Sequence, residues 1–199
     1  INEEQVDVIF LVGDYISRDP RAMVPLGNEL RNLRSSYGTF GVLGNHDRWH
    51  FDPRIVTKLS EAGVQLLINE AAEFDEFACV GLDSIWAGHP ELKDTLARLP
   101  QDKPVFLAWH EPDTFDTYED DRVVLQMSGH THGGQVCAPV QGPILLPEFG
   151  KNYPYGVYER GHSSLFVTRG IGTLTIPTRF LCAPEVAILT LRDLTRSTA

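Results

Sequence analysis

Residues 128–135 read S-G-H-T-H-G-G-Q and place two histidines, His130 and His132, two residues apart among glycines. The preceding run, residues 123–127, is mostly apolar, which predicts a buried strand that ends where the motif begins. In an extended backbone, residues i and i+2 face the same side, so both imidazoles could serve one site. Because α/β sheets bind ligands where their strands end, the motif predicts a ligand site. Two histidines in a surface loop are the alternative.

Further apolar runs predict alternating strands and helices and therefore an α/β fold. The predicted strands are residues 6–12, 39–43, 64–68, 77–82, 104–109, 123–127, 165–168 and 186–191. Helices are predicted after the Asp-Pro or His-Pro pairs at residues 19–20, 52–53 and 89–90. Residues 138–158 are rich in proline, glycine and aromatic residues and predict a long ordered loop with room for a hairpin. No linker or repeat interrupts the chain, so one domain over residues 1–199 is expected.

Composition excludes several classes of protein. The chain has 199 residues, 42% of them hydrophobic and 22% charged, which is ordinary for a globular domain. Its net charge of −10 disfavours nonspecific binding to nucleic acid or to an anionic membrane surface. No apolar run reaches about 18 residues, so the sequence predicts no membrane span. The cysteines, Cys79, Cys137 and Cys182, lie far apart, match neither a disulfide framework nor a Cys-x-x-Cys metal site, and favour a reducing compartment.

Polar side chains of the metal-binding type directly follow four of the predicted strands. They are Asp14, then Asn45, His46 and Asp47, then His110, then His130 and His132. If these strands share a sheet, the side chains converge on one edge of it. Carboxylate, amide and imidazole ligands without cysteine suit Mn, Fe or Zn.

The same residues resemble, in order and spacing, the motifs of the calcineurin-like metallophosphoesterase superfamily. The matching segments are Gly13-Asp14, Gly44-Asn45-His46-Asp47, His110 and Gly129-His130-Thr131-His132. The resemblance is closer to a bacterial subgroup that includes membrane-associated phosphoesterases and UDP-diacylglucosamine hydrolases. The segments that carry this second likeness are residues 110–113, 128–135, 168–172 and 184–185.

The resemblance implies a four-layer α/β/β/α sandwich of two packed mixed β-sheets flanked by helices. Asp14 would bridge two metal ions, with Asn45, His110 and His130 completing the second ion's ligands and His132 binding the first. His46 would lie near the substrate phosphate, as a general acid or a charge-stabilising donor, oriented by Asp47. These roles are carried over from the matching motifs.

The implied activity is hydrolysis of a phosphoric mono- or diester by a water activated between two ions of Mn, Fe or Zn. The subgroup suggests a small lipid-linked or nucleotide-sugar phosphate as substrate, with peripheral membrane association and a cytoplasmic or membrane-associated location. A metal-binding pseudoenzyme or a catalytically impaired fragment is the alternative. A nuclease is disfavoured because the chain is acidic and lacks a basic stripe.

Two departures from the family pattern modify these expectations. The usual opening motif, Asp-x-His, is absent, so we expect an opening strand before Ile1 and a better-occupied second metal site in this chain. Ser17 stands where aspartate is commoner.

Several other residues allow both a functional and a structural interpretation. His50 could touch the substrate or pack on Trp49, whereas His89 and His162 are expected at a helix start and in an exposed turn. Arg169 and Arg179 could bind a phosphate or form structural ion pairs. The tyrosines Tyr153, Tyr155 and Tyr158 could line a pocket or pack beneath a loop.

Overall fold

The computed structural model describes residues 2–192. Its strands are β1 Val8–Leu11, β2 Gly38–Gly41, β3 Val64–Leu66, β4 Glu70–Glu73, β5 Ala78–Gly81, β6 Val105–Ala108, β7 Val123–Ser128, β8 Cys137–Ala138, β9 Gly142–Pro143, β10 Gly156–Arg160 and β11 Ser163–Val167. Its α-helices are α1 Met23–Leu30, α2 Asn45–Trp49, α3 Pro53–Glu61 and α4 Leu92–Ala97. Among these residues, no helix is long and apolar enough to cross a bilayer.

Two main sheets form the centre of the fold. The first has three strands in the order β1-β2-β3, all parallel. The second has six strands in the order β10-β11-β7-β6-β5-β4, of which β11, β7, β6 and β5 run parallel and the two edge strands run antiparallel. Strands β8 and β9 form a separate small hairpin.

Helices cover the outer face of each sheet and produce four layers. Helices α1 and α3 pack on the three-stranded sheet through buried side chains such as Met23 and Ile55. Phe40 and Cys79 belong to the apolar cluster between the sheets. On the far side of the six-stranded sheet, α4 and a 3₁₀ turn at Pro112–Thr117 close the largest core cluster, which includes Leu96, Phe115 and Val80. Side chains alternate faces along each strand, so neighbouring residues such as Cys79 and Val80 serve different layers.

The structure confirms an α/β fold with two main sheets flanked by helices, although the three-stranded sheet is parallel throughout rather than mixed. Seven of the predicted strands overlap an observed strand, with ends that differ by up to two residues. Strand β4 was missed, because its sequence E-A-A-E lacks both β-branched residues and clear alternation. Residues 138–158 contain the β9 half of the small hairpin and the start of β10.

The predicted strand at residues 186–191 is wrong. These residues carry no strand in the structure, and four of their apolar side chains are 38% to 58% exposed: Val186, Ile188, Leu189 and Leu191. An apolar run becomes a strand only when another strand supplies hydrogen-bond partners. Within residues 2–192, no strand pairs with this segment.

Candidate metal centre

Strands from both sheets deliver the polar residues to one place. Asp14 follows β1 and Asn45 follows β2, both in the three-stranded sheet, whereas His110 follows β6 and His130 follows β7, both in the six-stranded sheet. The expectation of one shared sheet edge is therefore wrong, because the residues converge across the interface between two sheets.

Three of these side chains form a compact group. Asp14, His110 and His130 each offer one ligand atom, and these atoms all lie within 4.8 Å of one another. Nε2 of His110 is 3.2 Å from Oδ2 of Asp14 and 3.3 Å from Nδ1 of His130. Both histidines are buried, and the Asp14 side chain is only 11% exposed.

Backbone carbonyls fix which nitrogen of each imidazole faces the group. Nδ1 of His110 is 2.5 Å from the carbonyl oxygen of Val12, and Nε2 of His130 is 2.7 Å from that of Glu148. A carbonyl oxygen only accepts, so each of these nitrogens must carry a hydrogen and donate it. The remaining nitrogens, Nε2 of His110 and Nδ1 of His130, are the two that approach each other. This outer bonding is the arrangement that orients histidines toward a metal ion.

Asn45 supplies a further test of whether the residues fit a cation. Its side chain is 1% exposed, and within residues 2–192 its Oδ1 has no hydrogen-bond partner. A buried carbonyl-type oxygen without a donor costs free energy, and a metal ion would satisfy it. Amide oxygen, carboxylate and imidazole are together a donor set for Mn, Fe or Zn. The residues therefore fit a metal ion.

The electrostatics of the three ionisable groups are strongly coupled. Burial opposes a charge on His110, yet the charges of Asp14 and Glu111 outweigh it and raise the pKa of His110 to about 10. Burial acts against the Asp14 carboxylate as well, but His110 and His46 hold its pKa below the ordinary range. Burial and the neighbouring His110 lower the pKa of His130 to about 3. The charge of Asp14 thus favours a positive charge on His110, and that charge in turn disfavours one on His130.

Asp47 holds the backbone around Asp14 and has no bond to the His46 ring within residues 2–192. Its carboxylate accepts hydrogen bonds from the backbone N–H groups of Asp14, Ile16 and Gly44 at 2.8, 3.2 and 2.9 Å. Burial, reinforced by the charge of Asp14, raises the pKa of Asp47 to about 7. The expectation that Asp47 orients His46 is therefore not met; Asp47 positions the Asp14 loop instead.

The carbonyl oxygen of Ser17 orients His46. Nδ1 of His46 lies 2.9 Å from that oxygen, and the backbone N–H of His46 donates to Oδ1 of Asp14 at 2.9 Å. His46 is thereby tied to the same carboxylate as His110. The Ser17 side chain, which replaces the commoner aspartate, takes no part in these bonds.

His132 lies outside the compact group. The backbone is left-handed at His130 (φ 68°) and His132 (φ 52°), so the expected extended conformation is wrong. The carbonyl oxygen of His132 accepts from Nη1 of Arg179 at 3.0 Å and from Sγ of Cys182 at 3.2 Å. Among the described residues, only Asp14, His110 and His130 form a candidate metal group.

The remaining candidate residues take mostly structural positions. Arg179 donates to the carbonyls of His132, Arg169 and Gly172, while Arg169 lies over the ring of Tyr155 at 4.4 Å. The rings of Tyr153 and Tyr158 pack against each other beside the main core cluster, as expected for packing beneath a loop.

The other three histidines lie at the surface. The ring of His50 stacks on that of His46 with centroids 6.3 Å apart. His89 precedes α4 and is exposed, and His162 is exposed in the turn between β10 and β11.

Sequence reasoning missed several residues that border the group. Trp86 packs edge-to-face on His130 with ring centroids 5.6 Å apart, and Trp49 does so on His46 at 5.2 Å. Glu111 is fully buried beside His110 and accepts from the Ser84 hydroxyl and from the Ile85 backbone N–H. Trp86 reaches His130 across a long sequence separation, so no local pattern marks it. Trp49 lies one helical turn after His46, and Glu111 lies within the family-like segment 110–113, but neither was assigned a role.

Comparisons with known proteins match this chain to phosphoesterases. A family model described as calcineurin-like phosphoesterase matches residues 1–134. The uncharacterized metallophosphoesterase YkuE of Bacillus subtilis is 35% identical, over 97% of this chain and 70% of its own length. Phosphodiesterase YaeI of Escherichia coli is 32% identical, over 95% of this chain and 72% of its own length. An uncharacterized metallophosphoesterase of Helicobacter pylori is 29% identical, and there the match spans only 52% of the relative.

A solved structure shares the fold. A Staphylococcus aureus protein provisionally assigned as a 5′-nucleotidase superposes with a TM-score of 0.54 at 11% identity. The match covers 94% of this chain and 47% of that protein. At this identity the likeness concerns the fold alone.

Proposed function

The chain belongs to the calcineurin-like phosphoesterase family of hydrolases, and from that premise we propose that it hydrolyses a small phosphodiester at the Asp14, His110 and His130 group. The observation that carries this proposal is the pairing of that group with the unpartnered Oδ1 of Asn45. A cation bound beside this carboxylate and these imidazoles would satisfy the buried oxygen of Asn45.

Four residues would hold the second ion of the family pattern, which we expect to bind first in this chain: Asp14, Asn45, His110 and His130. By the family resemblance, His132 would join Asp14 in holding another, so a dinuclear centre remains a prediction. When bound, such ions stabilise charge on phosphoryl oxygens and lower the pKa of water.

The chain's own residues have definable tasks around the ions. The carbonyls of Val12 and Glu148 keep one hydrogen on His110 and one on His130, which leaves the opposite nitrogens as ligands. The raised pKa of His110 means that a metal ion would compete with a proton for Nε2.

His46 is the candidate proton donor to the leaving oxygen. Its Nδ1 is engaged by the carbonyl of Ser17, so Nε2 is the atom that can carry and deliver a proton. The bond from its backbone N–H to Asp14 fixes its distance from the metal group.

Two observations support a small diester as substrate. The relative from Escherichia coli is named a phosphodiesterase. The net charge of −10 opposes a long polyanion such as nucleic acid, whereas a single phosphodiester carries one charge that the ions offset. A lipid-linked or nucleotide-sugar phosphate, and peripheral association with a membrane, remain predictions.

Turnover of bis(p-nitrophenyl) phosphate tests the proposal. We expect hydrolysis with Mn²⁺, loss of hydrolysis with a chelator, and recovery when metal is restored. His46→Ala should lower kcat by about 10²- to 10⁴-fold, the usual contribution of a general acid.

His162→Ala is the matched control, since His162 is exposed in a turn and should leave kcat unchanged. If the metal-loaded protein does not turn over the diester, and His46→Ala changes nothing, the proposed function is wrong. Tight metal binding without turnover would then identify a metal-binding pseudoenzyme.

A further inference from the structure

Aromatic side chains form a continuous surface beside the metal group. The rings of Trp49 and Trp86 meet edge-to-face with centroids 4.8 Å apart, and Phe149 adjoins Trp86 at 6.1 Å. Trp49 also touches His46, and Trp86 also touches His130. We call Trp49, Trp86 and Phe149 the aromatic shelf.

The shelf exposes much of its apolar area. Trp49 is 47% exposed and Trp86 is 39% exposed, although they make up two of the three tryptophans in the chain. The third, Trp109, is buried. Half-exposed indoles beside a catalytic group are typical of recognition surfaces rather than of packing.

Charged and polar contacts tie the segments that carry Trp49 and Trp86 to the site. Arg48, on the helix that carries His46 and Trp49, donates to Oδ1 of Asp83 at 2.7 Å. The two residues after Asp83 are bonded to the buried Glu111, which directly follows His110. The Ser84 hydroxyl and the Ile85 backbone N–H both donate to its carboxylate. The loop that carries Trp86 is thus tied on one side to the His46 helix and on the other to the His110 strand end.

Phe149 reaches the shelf through a strained backbone. Its φ is 65°, a conformation that an aromatic residue rarely adopts. The segment is held on both sides: the carbonyl of Glu148 accepts from His130, and the carbonyl of Phe149 accepts from the backbone N–H of Asp113 at 3.0 Å. The Glu148 carbonyl that sets the His130 tautomer therefore also helps to place Phe149 beside Trp86.

We propose that the aromatic shelf binds a flat aromatic ring of the substrate, attached through the phosphate that reacts at the metal group. The inference rests on the proposed function and adds the class of substrate. Trp49 and Trp86 are inclined at 75°, so a ring can stack on one indole while the other contacts its edge. His46 and His130 touch the two indoles, so a ring bound on the shelf would lie next to the metal group.

Paired inhibitors measure the contribution of the ring. Phenyl phosphate and methyl phosphate differ only in the group that the shelf would contact, so their Ki values against bis(p-nitrophenyl) phosphate can be compared directly. We expect phenyl phosphate to bind about tenfold more tightly, as one stacking contact allows. Trp86→Leu should reduce this ratio to about twofold or less, while Trp86→Phe, which keeps a ring, should retain most of it.

Phe51→Leu is the matched control. Phe51 is 53% exposed and lies two residues from Trp49, yet within residues 2–192 it makes no ring contact with the shelf. The preference for phenyl phosphate should be unchanged in this variant. A loss of preference in Phe51→Leu equal to that in Trp86→Leu would overturn the assignment to the shelf.

Tryptophan fluorescence gives a readout that needs no turnover. Phenyl phosphate, but not methyl phosphate, should quench Trp49 and Trp86, with the buried Trp109 as a constant background. Adenosine 5′-monophosphate and ribose 5-phosphate form a second pair, and a larger effect of this pair would identify the ring as a nucleobase rather than a simple aryl group.

The outcomes separate the two proposals. Hydrolysis with equal Ki values for phenyl and methyl phosphate would overturn the shelf and leave the proposed function intact. Selective quenching by ring-bearing phosphates without hydrolysis would support the shelf as a binding site and refute the proposed reaction.

Discussion

His130 and His132 occupy one motif, share a left-handed backbone and have different roles in the structure. The imidazole of His130 is engaged at both nitrogens, one near His110 and the other at the carbonyl of Glu148. At His132 the engaged atom is the backbone carbonyl, which Arg179 and Cys182 hold. The difference teaches that spacing brings both histidines near the site, whereas a carbonyl partner fixes the orientation of the His130 ring.

Removing each histidine in turn is the strongest test of this contrast. His130→Ala should lower affinity for the first-filled metal ion by more than about 100-fold, because a buried ligand is lost outright. His132→Ala should retain at least one tightly bound ion, since Asp14, Asn45, His110 and His130 remain. Metal content after exhaustive dialysis, measured by mass spectrometry, distinguishes the two.

The exposed His162→Ala variant controls for general effects on metal content. Equal metal stoichiometry in His130→Ala and His132→Ala would contradict the contrast and the ligand assignment with it.

Asp47→Ala tests the hydrogen bonds that hold the Asp14 loop, which faces His110 and His130. Three backbone N–H groups in a buried loop would lose their acceptor, so we expect a loss of about 2–4 kcal/mol in the free energy of unfolding. Urea denaturation measures the change.

Asp19→Ala removes an exposed cap on a short 3₁₀ turn and should cost less than about 1 kcal/mol. Comparable losses in the two variants would show that the Asp47 bonds contribute no more than a surface cap.

Arg179→Ala tests the hydrogen bonds that hold the backbone carbonyl of His132. The guanidinium joins three backbone carbonyls, so its removal should cost about 1–2 kcal/mol of stability. The affinity for the ion at Asp14, Asn45, His110 and His130 should change by less than about threefold. Removing a residue that does not itself bind metal lowers metal affinity by about 10- to 100-fold only where that residue orients a ligand. Calorimetric metal titration, with the exposed Arg21→Ala as control, checks this. Tenfold weaker binding of the ion at Asp14, Asn45, His110 and His130 would contradict it.

Much of the site could be predicted from the sequence. Apolar runs predict strands β1, β2, β6 and β7, and the polar residue types directly after them mark Asp14, Asn45, His110 and His130 as a set. The reason is physical: burial imprints a local pattern, and the end of a buried strand is where the pattern must stop. Family likeness then added the chemistry.

Only the tertiary structure decided how these residues are used. The tautomer of His110 depends on Val12, nearly a hundred residues away. The aromatic shelf joins helix α2 to two loops that no local pattern relates to it. The apolar segment at residues 186–191 marks the same limit, since it is strand-like in sequence yet unpaired among the described residues. Sequence records which side chains avoid water and which can bind metal. Hydrogen bonds and ring contacts between distant segments form only when the chain folds. The local sequence around one partner does not indicate the other.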